Sequence, residues 1–321
     1  MPRYIKDALL LAKVETTPGT DATPTGAADA VLQVGDVEIT PIEANLIERN
    51  LSMPWLGASA ALLGTYYSKI SFTCEAAGSG TAGTSAPWSD LLLGCACAEA
   101  SLTTPPRVEI TPVSTGFKTL TFYFYDGNVL HKVFGAVGSA KLSAKIGEVP
   151  KLTFEFIGSY VPPTATANAS ATLTAWKVPP TINKANVTDI TLGCTYATGV
   201  LTGGTAISST GLELDLGVKT SFFSTLSREG GEVNGRESKV SYELELTAAQ
   251  TVTAMADMVA NTTTSLGFVI GTAAGNKLML HLPSIQRTSA KPGNREGIRM
   301  MSFEARVLPV AGNDEFRLVQ L

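Results

Sequence analysis

Two stretches of the sequence, residues 126–163 and 274–310, contain the same features in the same order. Each begins with a Gly-Asn turn and continues with an apolar strand, a polar bend that contains Lys-x-Gly, and a strand with Phe-Glu at its middle. The paired features are Gly127-Asn128 and Gly275-Asn276, Lys145-Ile146-Gly147 and Lys291-Pro292-Gly293, and Phe154-Glu155 and Phe303-Glu304. Several matches in one order indicate an internal duplication.

The similarity extends upstream of both stretches. Residues 69–73 (KISFT) resemble residues 239–243 (KVSYE), and each segment precedes a predicted helix and a further strand. The predicted helices cover residues 87–98 and 248–260, and the strands that lead to the Gly-Asn turns cover 119–125 and 265–271. The sequence therefore predicts two copies of one mainly β module. We place the first copy at residues 1–161, a linker of small residues at 162–171, and the second copy at 172–321.

The two ends of the chain and the segment after the first strand have less regular patterns. We expect residues 1–30 to form an exposed arm or an edge strand, because Pro18-Gly19 and Pro24 break regular structure. Residues 31–40 alternate and predict a strand, and residues 310–321 are expected to form a short tail. Residues 41–67 do not alternate, which predicts a long loop.

This loop carries apolar side chains that one module does not obviously need. Arg49, Met53, Trp55 and Leu56 lie in it. A loop of this length inside a compact domain is usually functional or disordered, and its apolar content argues against disorder. Two interpretations remain open: the loop contacts another molecule, or it folds back on its own module. The counterpart in the second copy, residues 222–237, is shorter and more polar.

Composition excludes several classes of protein. Of the 321 residues, 16% are charged and the net charge is −4, so no basic stripe is available to bind phosphates. Aromatic residues make up 7%, which does not provide the girdles of an outer-membrane barrel. There is no run of about 18 apolar residues and no signal-peptide pattern, so we expect no membrane contact and a cytoplasmic origin.

No pattern points to catalysis, a metal or a cofactor. His131 and His281 follow the two Gly-Asn turns without ligand-type neighbours, and we expect them to share a structural position. The sequence GVLTGG at 199–204 lacks the Lys-Ser/Thr of a phosphate loop. The acid pairs Glu43 and Glu48, and Glu229 and Glu232, are typical of solvated loops. Four cysteines, Cys74, Cys95, Cys97 and Cys194, are expected to be buried rather than metal-bound.

The run AKVETTPGTDATPTGAADAVLQVGDVEITP, residues 12–41, resembles the start of major tail tube proteins from long, non-contractile-tailed bacteriophages of the siphovirus type. The resemblance implies a β-sandwich with a flanking helix in each module. It implies a virion protein, assembled in the host cytoplasm, that stacks as rings into a hollow tube. Its partners would be itself, the tail terminator, the tape measure and distal tail proteins, with double-stranded DNA in transit and not specifically bound. No catalytic residues follow from it.

Geometry favours three chains in a ring. If each module gives four strands to one barrel, six modules give about 24 strands and a backbone diameter near 48 Å, using about 6 Å of circumference per tilted strand. Duplex DNA, roughly 20 Å across, would pass. Six chains, with the second module outside the barrel, is the alternative arrangement. An acidic chain suits a lining that does not retain DNA, and the loop at 41–67 is the candidate contact between stacked rings. The competing functions are a phage decoration or receptor-binding protein and, less favoured, an enzyme on a β-sandwich.

Overall fold

The computed structural model describes residues 7–321, which fold mainly into antiparallel β-strands. The first half contains β1 (Ala8–Val14), β2 (Ala30–Val31), β3 (Glu38–Ile47), β4 (Leu62–Glu75), α1 (Ser89–Leu93), β5 (Cys97–Thr103), β6 (Pro106–Pro112), β7 (Leu120–Asp126), β8 (Val129–Lys145) and β9 (Lys151–Ala165). The second half contains β10 (Ile190–Leu192), β11 (Thr195–Ala197), β12 (Val200–Thr202), β13 (Thr205–Ile207), β14 (Ser209–Asp215), β15 (Val218–Ser224), β16 (Glu229–Arg236), β17 (Lys239–Leu244), α2 (Ala248–Val259), β18 (Thr263–Ile270), β19 (Leu278–Arg295), β20 (Ile298–Val307) and β21 (Arg317–Gln320).

Eight strands form one continuous sheet in the order β3-β4-β9-β8-β14-β17-β20-β19. The first four come from the first half of the chain and the last four from the second. The halves join where β14 pairs with the C-terminal part of β8, residues 141–145. We call this array the eight-stranded sheet.

Long bent strands connect this sheet to a second layer. The N-terminal part of β8 pairs with β7, which pairs with β1, and the N-terminal part of β19 pairs with β18 in the same way. A β-bulge lies at the bend of β8, where its register against β9 shifts between Phe134 and Val137. Phenylalanines fill the space between the layers: Phe72 packs 5.5 Å from Phe154 and 5.9 Å from Phe122, and Phe303 packs 5.6 Å from Tyr242. The fold is mainly β, as the sequence predicts.

Turn chemistry explains the hairpin between β7 and β8. Gly127 and Asn128 have φ values of 52° and 67°, and Asp126 pairs with Val129 across the turn. A two-residue hairpin turn of type I′ requires positive φ at both central residues, and Gly and Asn both adopt positive φ readily. The hairpin predicted here is confirmed.

The two helices differ in how well the sequence predicts them. α2 matches its prediction and begins with a capping box, in which Thr247 and Gln250 bond to each other's backbone N–H. The prediction of a helix at 87–98 is wrong beyond Leu93, since α1 covers only five residues. Ala96 has a φ of 55°, so the chain reverses there and Cys97 begins β5. Neither helix within residues 7–321 has the length and apolar character needed to cross a membrane.

Both chain ends are more deeply integrated than predicted. Residues 1–6 of the expected arm lie outside the described residues, but β1 is paired with β7 along its whole length, and Leu10 and Leu11 are buried. The expected tail contains β21, which pairs with β6 from the first half and β19 from the second. Short apolar runs at the ends of a chain give no periodic signal, so their insertion into sheets is not visible in the sequence.

The segment that carries the tail-tube resemblance is held by a buried carboxylate. Glu15 accepts hydrogen bonds from the backbone N–H of Gly19 and Gly135 at 2.7 and 2.8 Å, and from the hydroxyls of Thr119 and Thr121 at 2.6 and 2.7 Å. Each carboxylate oxygen therefore has two donors, which satisfies a group that would otherwise be costly to bury. Glu15 ties the loop after β1 to β7 and β8.

The predicted linker and domain boundaries stay predictions. β9 extends to Ala165, into the segment 162–171, and the backbone N–H of Thr172 donates to the carbonyl oxygen of Gly26. Buried side chains from both halves, among them Phe72 and Phe303, belong to one continuous hydrophobic core.

Candidate assembly interface

Both ends of the expected loop at residues 41–67 are strand, so that prediction is wrong for those parts. β3 and β4 form one long hairpin, and only residues 48–61 lack regular structure. The register shifts twice, between Thr40 and Glu43 and between Ala44 and Leu46. Each shift moves the following side chains to the other face, which hides the alternation in the sequence.

A buried serine marks a bend in this hairpin, and the second half repeats it. The Ser68 hydroxyl donates to the carbonyl oxygen of Pro41 at 2.6 Å, and the Ser238 hydroxyl donates to that of Leu216 at 2.8 Å. Beyond Leu216 the hairpin continues as β15 and β16, since the pairing of Asp215 with Lys239 runs on in the same register to that of Val218 with Arg236. Each half therefore has a long hairpin whose base lies in the eight-stranded sheet. We call residues 42–67 the first outer arm and residues 218–236 the second outer arm.

The second outer arm folds back over the first half of the chain. The backbone N–H of Val218 donates to the Ser139 hydroxyl at 3.1 Å, and the ring of Phe222 stacks on Tyr67 at 5.3 Å. Gly231 lies so close to β8 and β9 that a Cβ would come within 2.8 Å of Val137 and 2.9 Å of the Ile157 carbonyl oxygen. Val137 and Ile157 are buried as a result.

The first outer arm leaves much of its apolar surface in solvent. Its exposed apolar side chains are Ile42, Leu46, Ile47, Leu51, Trp55, Leu56, Leu62, Leu63 and Tyr66. Trp55 is 67% exposed and Leu56 is fully exposed. Of the other residues predicted to contact a neighbouring ring, Arg49 is exposed and Met53 is partly buried. A cluster of exposed apolar groups of this size is typical of an interaction surface.

The two halves of the eight-stranded sheet match residue by residue. Ser71 and Phe72 of β4 face Glu155 and Phe154 of β9, and Ser241 and Tyr242 of β17 face Glu304 and Phe303 of β20. On the next strand, Ser139 and Ala140 of β8 face Glu155 and Phe154. Ser289 and Ala290 of β19 face Glu304 and Phe303 in the same way, so Ser139-Ala140-Lys141 matches Ser289-Ala290-Lys291. Lys291 therefore corresponds to Lys141.

The sequence-based match of Lys145-Ile146-Gly147 with Lys291-Pro292-Gly293 is wrong. Gly147 lies in the turn between β8 and β9, whereas Gly293 lies within β19. Ser289 lies 13 positions after Asn276, whereas Ser139 lies 11 positions after Asn128, so the spacing from the Gly-Asn turns differs between the halves. The triplet Ser-Ala-Lys occurs at 139–141 and again at 143–145 in the first half, and at 289–291 in the second. The sequence alone therefore does not choose between the two matches, and the strand register decides it.

The junction between the halves shows how two of these four-stranded units join. Glu213, Leu214 and Asp215 of β14 face Ser143, Leu142 and Lys141 of β8. Two ion pairs cross it, Lys141 to Asp215 at 3.3 Å and Lys145 to Glu213 at 3.1 Å. Both pairs are solvent-exposed, so each contributes at most about 1 kcal/mol and mainly sets the register.

Among the residues that the structure describes, the eight-stranded sheet has one open edge at each side. β3 pairs only with β4, and residues 289–295 of β19 pair only with β20. In the second half, β14 occupies the position that β3 has in the first, and its corresponding edge is paired with β8. In the first half, the part of β8 that pairs with β14 occupies the position of residues 289–295. Sequence reasoning missed both edges, because edge exposure depends on the whole sheet.

One face of the eight-stranded sheet is polar. Along each strand alternate residues are buried in the core, and those between them point to the opposite face. The charged members of this face are Glu38, Lys69, Glu75, Lys141, Lys145, Lys151, Glu155, Glu213, Asp215, Lys239, Glu243, Lys291, Arg295, Glu304 and Arg306. Acidic and basic side chains are interleaved, so neither sign dominates.

The histidines and cysteines occupy structural positions. His281 is buried on β19 with its ring 5.8 Å from Tyr196, and burial, together with the positive charge of Arg317, lowers its pKa. Cys74, Cys95, Cys97 and Cys194 are free and buried, as predicted. Burial raises the pKa of the Cys97 thiol to about 12, which keeps it protonated and unreactive. Residues 7–321 contain no group of three His, Cys, Asp or Glu side chains placed to hold a metal ion.

Comparison with protein families gives one match. The family model described as phage tail tube protein matches residues 6–310. No curated protein matches the chain.

Proposed function

The chain belongs to the phage tail tube protein family, and from this premise we propose that it polymerises as stacked three-chain rings into the tube of a long, non-contractile tail. It is a structural component of the phage tail and not an enzyme. The observation that carries the three-chain ring is the eight-stranded sheet with one open edge at each side.

Joining three such sheets edge to edge gives 24 strands. At about 6 Å of circumference per tilted strand, the ring has a backbone diameter near 48 Å. Side chains narrow the bore to roughly 35–40 Å, which passes duplex DNA. Because β8 already joins β14 inside the chain, one more junction of this type per chain closes the ring.

The two open edges favour pairing with another chain over remaining exposed to solvent. An exposed strand edge presents unpaired N–H and C=O groups that bind other strands indiscriminately. Pro41 lies at the bend of β3 and Pro292 lies in the open part of β19. A proline removes one donor from an edge and thereby reduces unregulated strand addition. A closed ring pairs both edges.

We propose that the part of the polar face that the outer arms leave uncovered lines the bore, and that DNA passes it during ejection without specific binding. The net charge predicts an acidic lining, whereas this face carries interleaved acidic and basic side chains. A lysine with an acidic neighbour, such as Lys141 beside Asp215, is partly neutralised. Phosphates therefore meet no continuous positive surface that would retain them.

The tip of the first outer arm, with Arg49, Met53, Trp55 and Leu56, is the proposed contact between stacked rings. Large exposed aromatic and aliphatic side chains at one tip are suitable anchors for a partner surface. The remaining partners would be the tail terminator, the tape measure and distal tail proteins, with assembly in the host cytoplasm.

Electron microscopy of the concentrated protein, and of isolated tails, tests the proposal. Rings or tubes with threefold symmetry and a near-sixfold appearance are expected. Rings of six chains would contradict the three-chain arrangement. Single particles that never polymerise, even with tail initiator proteins, would instead favour a decoration or receptor-binding protein.

A further inference from the structure

We propose that the first outer arm of each chain lies across the second half of the neighbouring chain's eight-stranded sheet. The proposal rests on the ring described above and specifies its contact surface. The partner is a second copy of this chain, and the template is the second outer arm, which covers the matching part of the first half within one chain.

The open edges fix the register of the neighbour. Glu38 and Ile39 of β3 correspond to Glu213 and Leu214 of β14, because Glu38 and Glu213 face the matched serines Ser71 and Ser241. In the junction inside the chain, Glu213 faces Ser143, whose counterpart is Gly293. Between chains, Glu38 therefore lies opposite Gly293, Ile39 opposite Pro292 and Thr40 opposite Lys291.

In this register the ion pair between Glu213 and Lys145 has an equivalent between chains. Glu213 pairs with Lys145, two residues beyond its direct partner Ser143. The same step beyond Gly293 reaches Arg295, so Glu38 of one chain meets Arg295 of the next. Both residues are exposed in the single chain.

The position of the arm follows from the matched bends. Both hairpins bend where a buried serine bonds to a backbone carbonyl. Two residues before that serine, Tyr66 pairs with Ala44 and Arg236 pairs with Val218, so Ala44 corresponds to Val218. The backbone N–H of Val218 donates to the Ser139 hydroxyl, and Ser139 corresponds to Ser289 in the second half. The backbone of Ala44 is thus placed beside Ser289 of the neighbouring chain.

The surface that would receive the arm is present and uncovered. Gln286 and Arg306 face each other across β19 and β20, at the position that Val137 and Ile157 occupy in the first half. Val137 and Ile157 are buried under the second outer arm, whereas Arg306 is exposed. A groove of about 640 Å³ lies here, lined by Lys239, Met258, Gln286, Thr288, Glu304 and Arg306 among others.

The chemistry of the two sites differs in a way that suits their roles. Inside the chain the covered site is apolar and permanently buried. In the second half it is polar, so it is stable in water before assembly. The aliphatic parts of Gln286 and Arg306 can pack against apolar side chains of the arm while their polar ends stay solvated. A polar receiving surface with an apolar arm is typical of an interface that forms only when subunits meet.

Paired cysteines test the contact. The double variant Ala44→Cys/Ser289→Cys is assembled, oxidised and separated on a non-reducing gel. Covalent dimers and trimers are expected, with no larger closed species. The matched control, Ser139→Cys/Val218→Cys, places the same pair inside one chain and is expected to lose its free thiols while remaining a monomer on the gel. The four native cysteines are buried and should not interfere.

The result separates this inference from the ring itself. Rings or tubes visible by electron microscopy without a disulfide between positions 44 and 289, while the control pair oxidises, would overturn the arm contact and leave the ring intact. Chains of the double variant and of the unmodified protein that both fail to form rings would overturn the ring and the arm contact together.

Discussion

Ser68 donates a buried hydrogen bond of 2.6 Å to the carbonyl oxygen of Pro41 and thereby fixes the point at which the first hairpin leaves the eight-stranded sheet. Its counterpart, Ser238 with Leu216, fixes the same point in the second hairpin. Beyond these two contacts the arms differ: the second outer arm packs against the first half of its own chain, whereas the first leaves much of its apolar surface exposed.

Removing either serine hydroxyl should destabilise the chain. Ser68→Ala and Ser238→Ala each leave a carbonyl oxygen without this donor, and we expect each to lower the free energy of unfolding by about 1–3 kcal/mol. Urea denaturation measures the loss. Thr73→Ala, which removes an exposed hydroxyl from the same sheet, is the control and should change stability little. Equal stability for all three variants would show that the bends do not depend on these bonds.

Charge reversal at the open edges should affect assembly and not folding. Glu38→Lys or Arg295→Glu places like charges together at the proposed junction, whereas both side chains are solvated in the single chain. We expect each reversal to weaken the junction by about 1 kcal/mol, roughly a fivefold rise in the concentration needed for polymerisation. The double reversal should restore it. Sedimentation at low salt measures this, and a double variant as weak as the singles would contradict the register.

Deleting residues 49–59 should leave a folded chain that forms no tubes. The deleted tip has no regular structure and its side chains are mostly exposed, so the core is untouched. Circular dichroism on heating should show a melting temperature close to that of the intact protein. Val259→Ala, which trims another exposed apolar side chain away from the arm, is the control and should polymerise normally. Normal tubes from the deletion variant would rule out the tip as a ring-stacking contact.

Glu15→Gln should be costly despite the similar shape of the two side chains. The carboxylate accepts four hydrogen bonds, and an amide nitrogen cannot accept any, so a glycine N–H and a threonine hydroxyl lose their acceptor. We expect a loss of at least about 2 kcal/mol in the free energy of unfolding. Denaturant titration measures it, with the exposed Glu148→Gln as control. A loss below 0.5 kcal/mol, on the order of an ordinary surface substitution, would mean that the network is dispensable.

His281 should make stability depend on pH below neutrality. Burial lowers its pKa in the folded chain below the ordinary value of 6.5, so the unfolded chain binds the proton more readily. The stability due to neutral His281 is fully present above about pH 6.5 and is lost as the pH falls toward the lower folded pKa. His281→Gln should therefore lose less stability than the parent between pH 7.5 and 5.5. Parallel pH profiles in urea denaturation would contradict this.

Local patterns gave the secondary structure wherever the register is regular. The strand at 119–125, the Gly127-Asn128 turn and α2 follow from period-two alternation, turn chemistry and capping, which act over a few neighbouring residues. The burial of the cysteines was also foreseeable. The hairpin formed by β3 and β4 was not, because its two bulges move side chains between faces and erase the alternation.

The sequence by itself determined that this chain is mainly β, that it repeats a set of features, and that it resembles tail tube proteins. Only the tertiary structure decided that β8 joins β14, that β21 links the two halves, and that β3 and the end of β19 remain open. The physical reason is range: side-chain periodicity and turn propensity are local, whereas strand pairing between distant residues is chosen by the packing of the whole core.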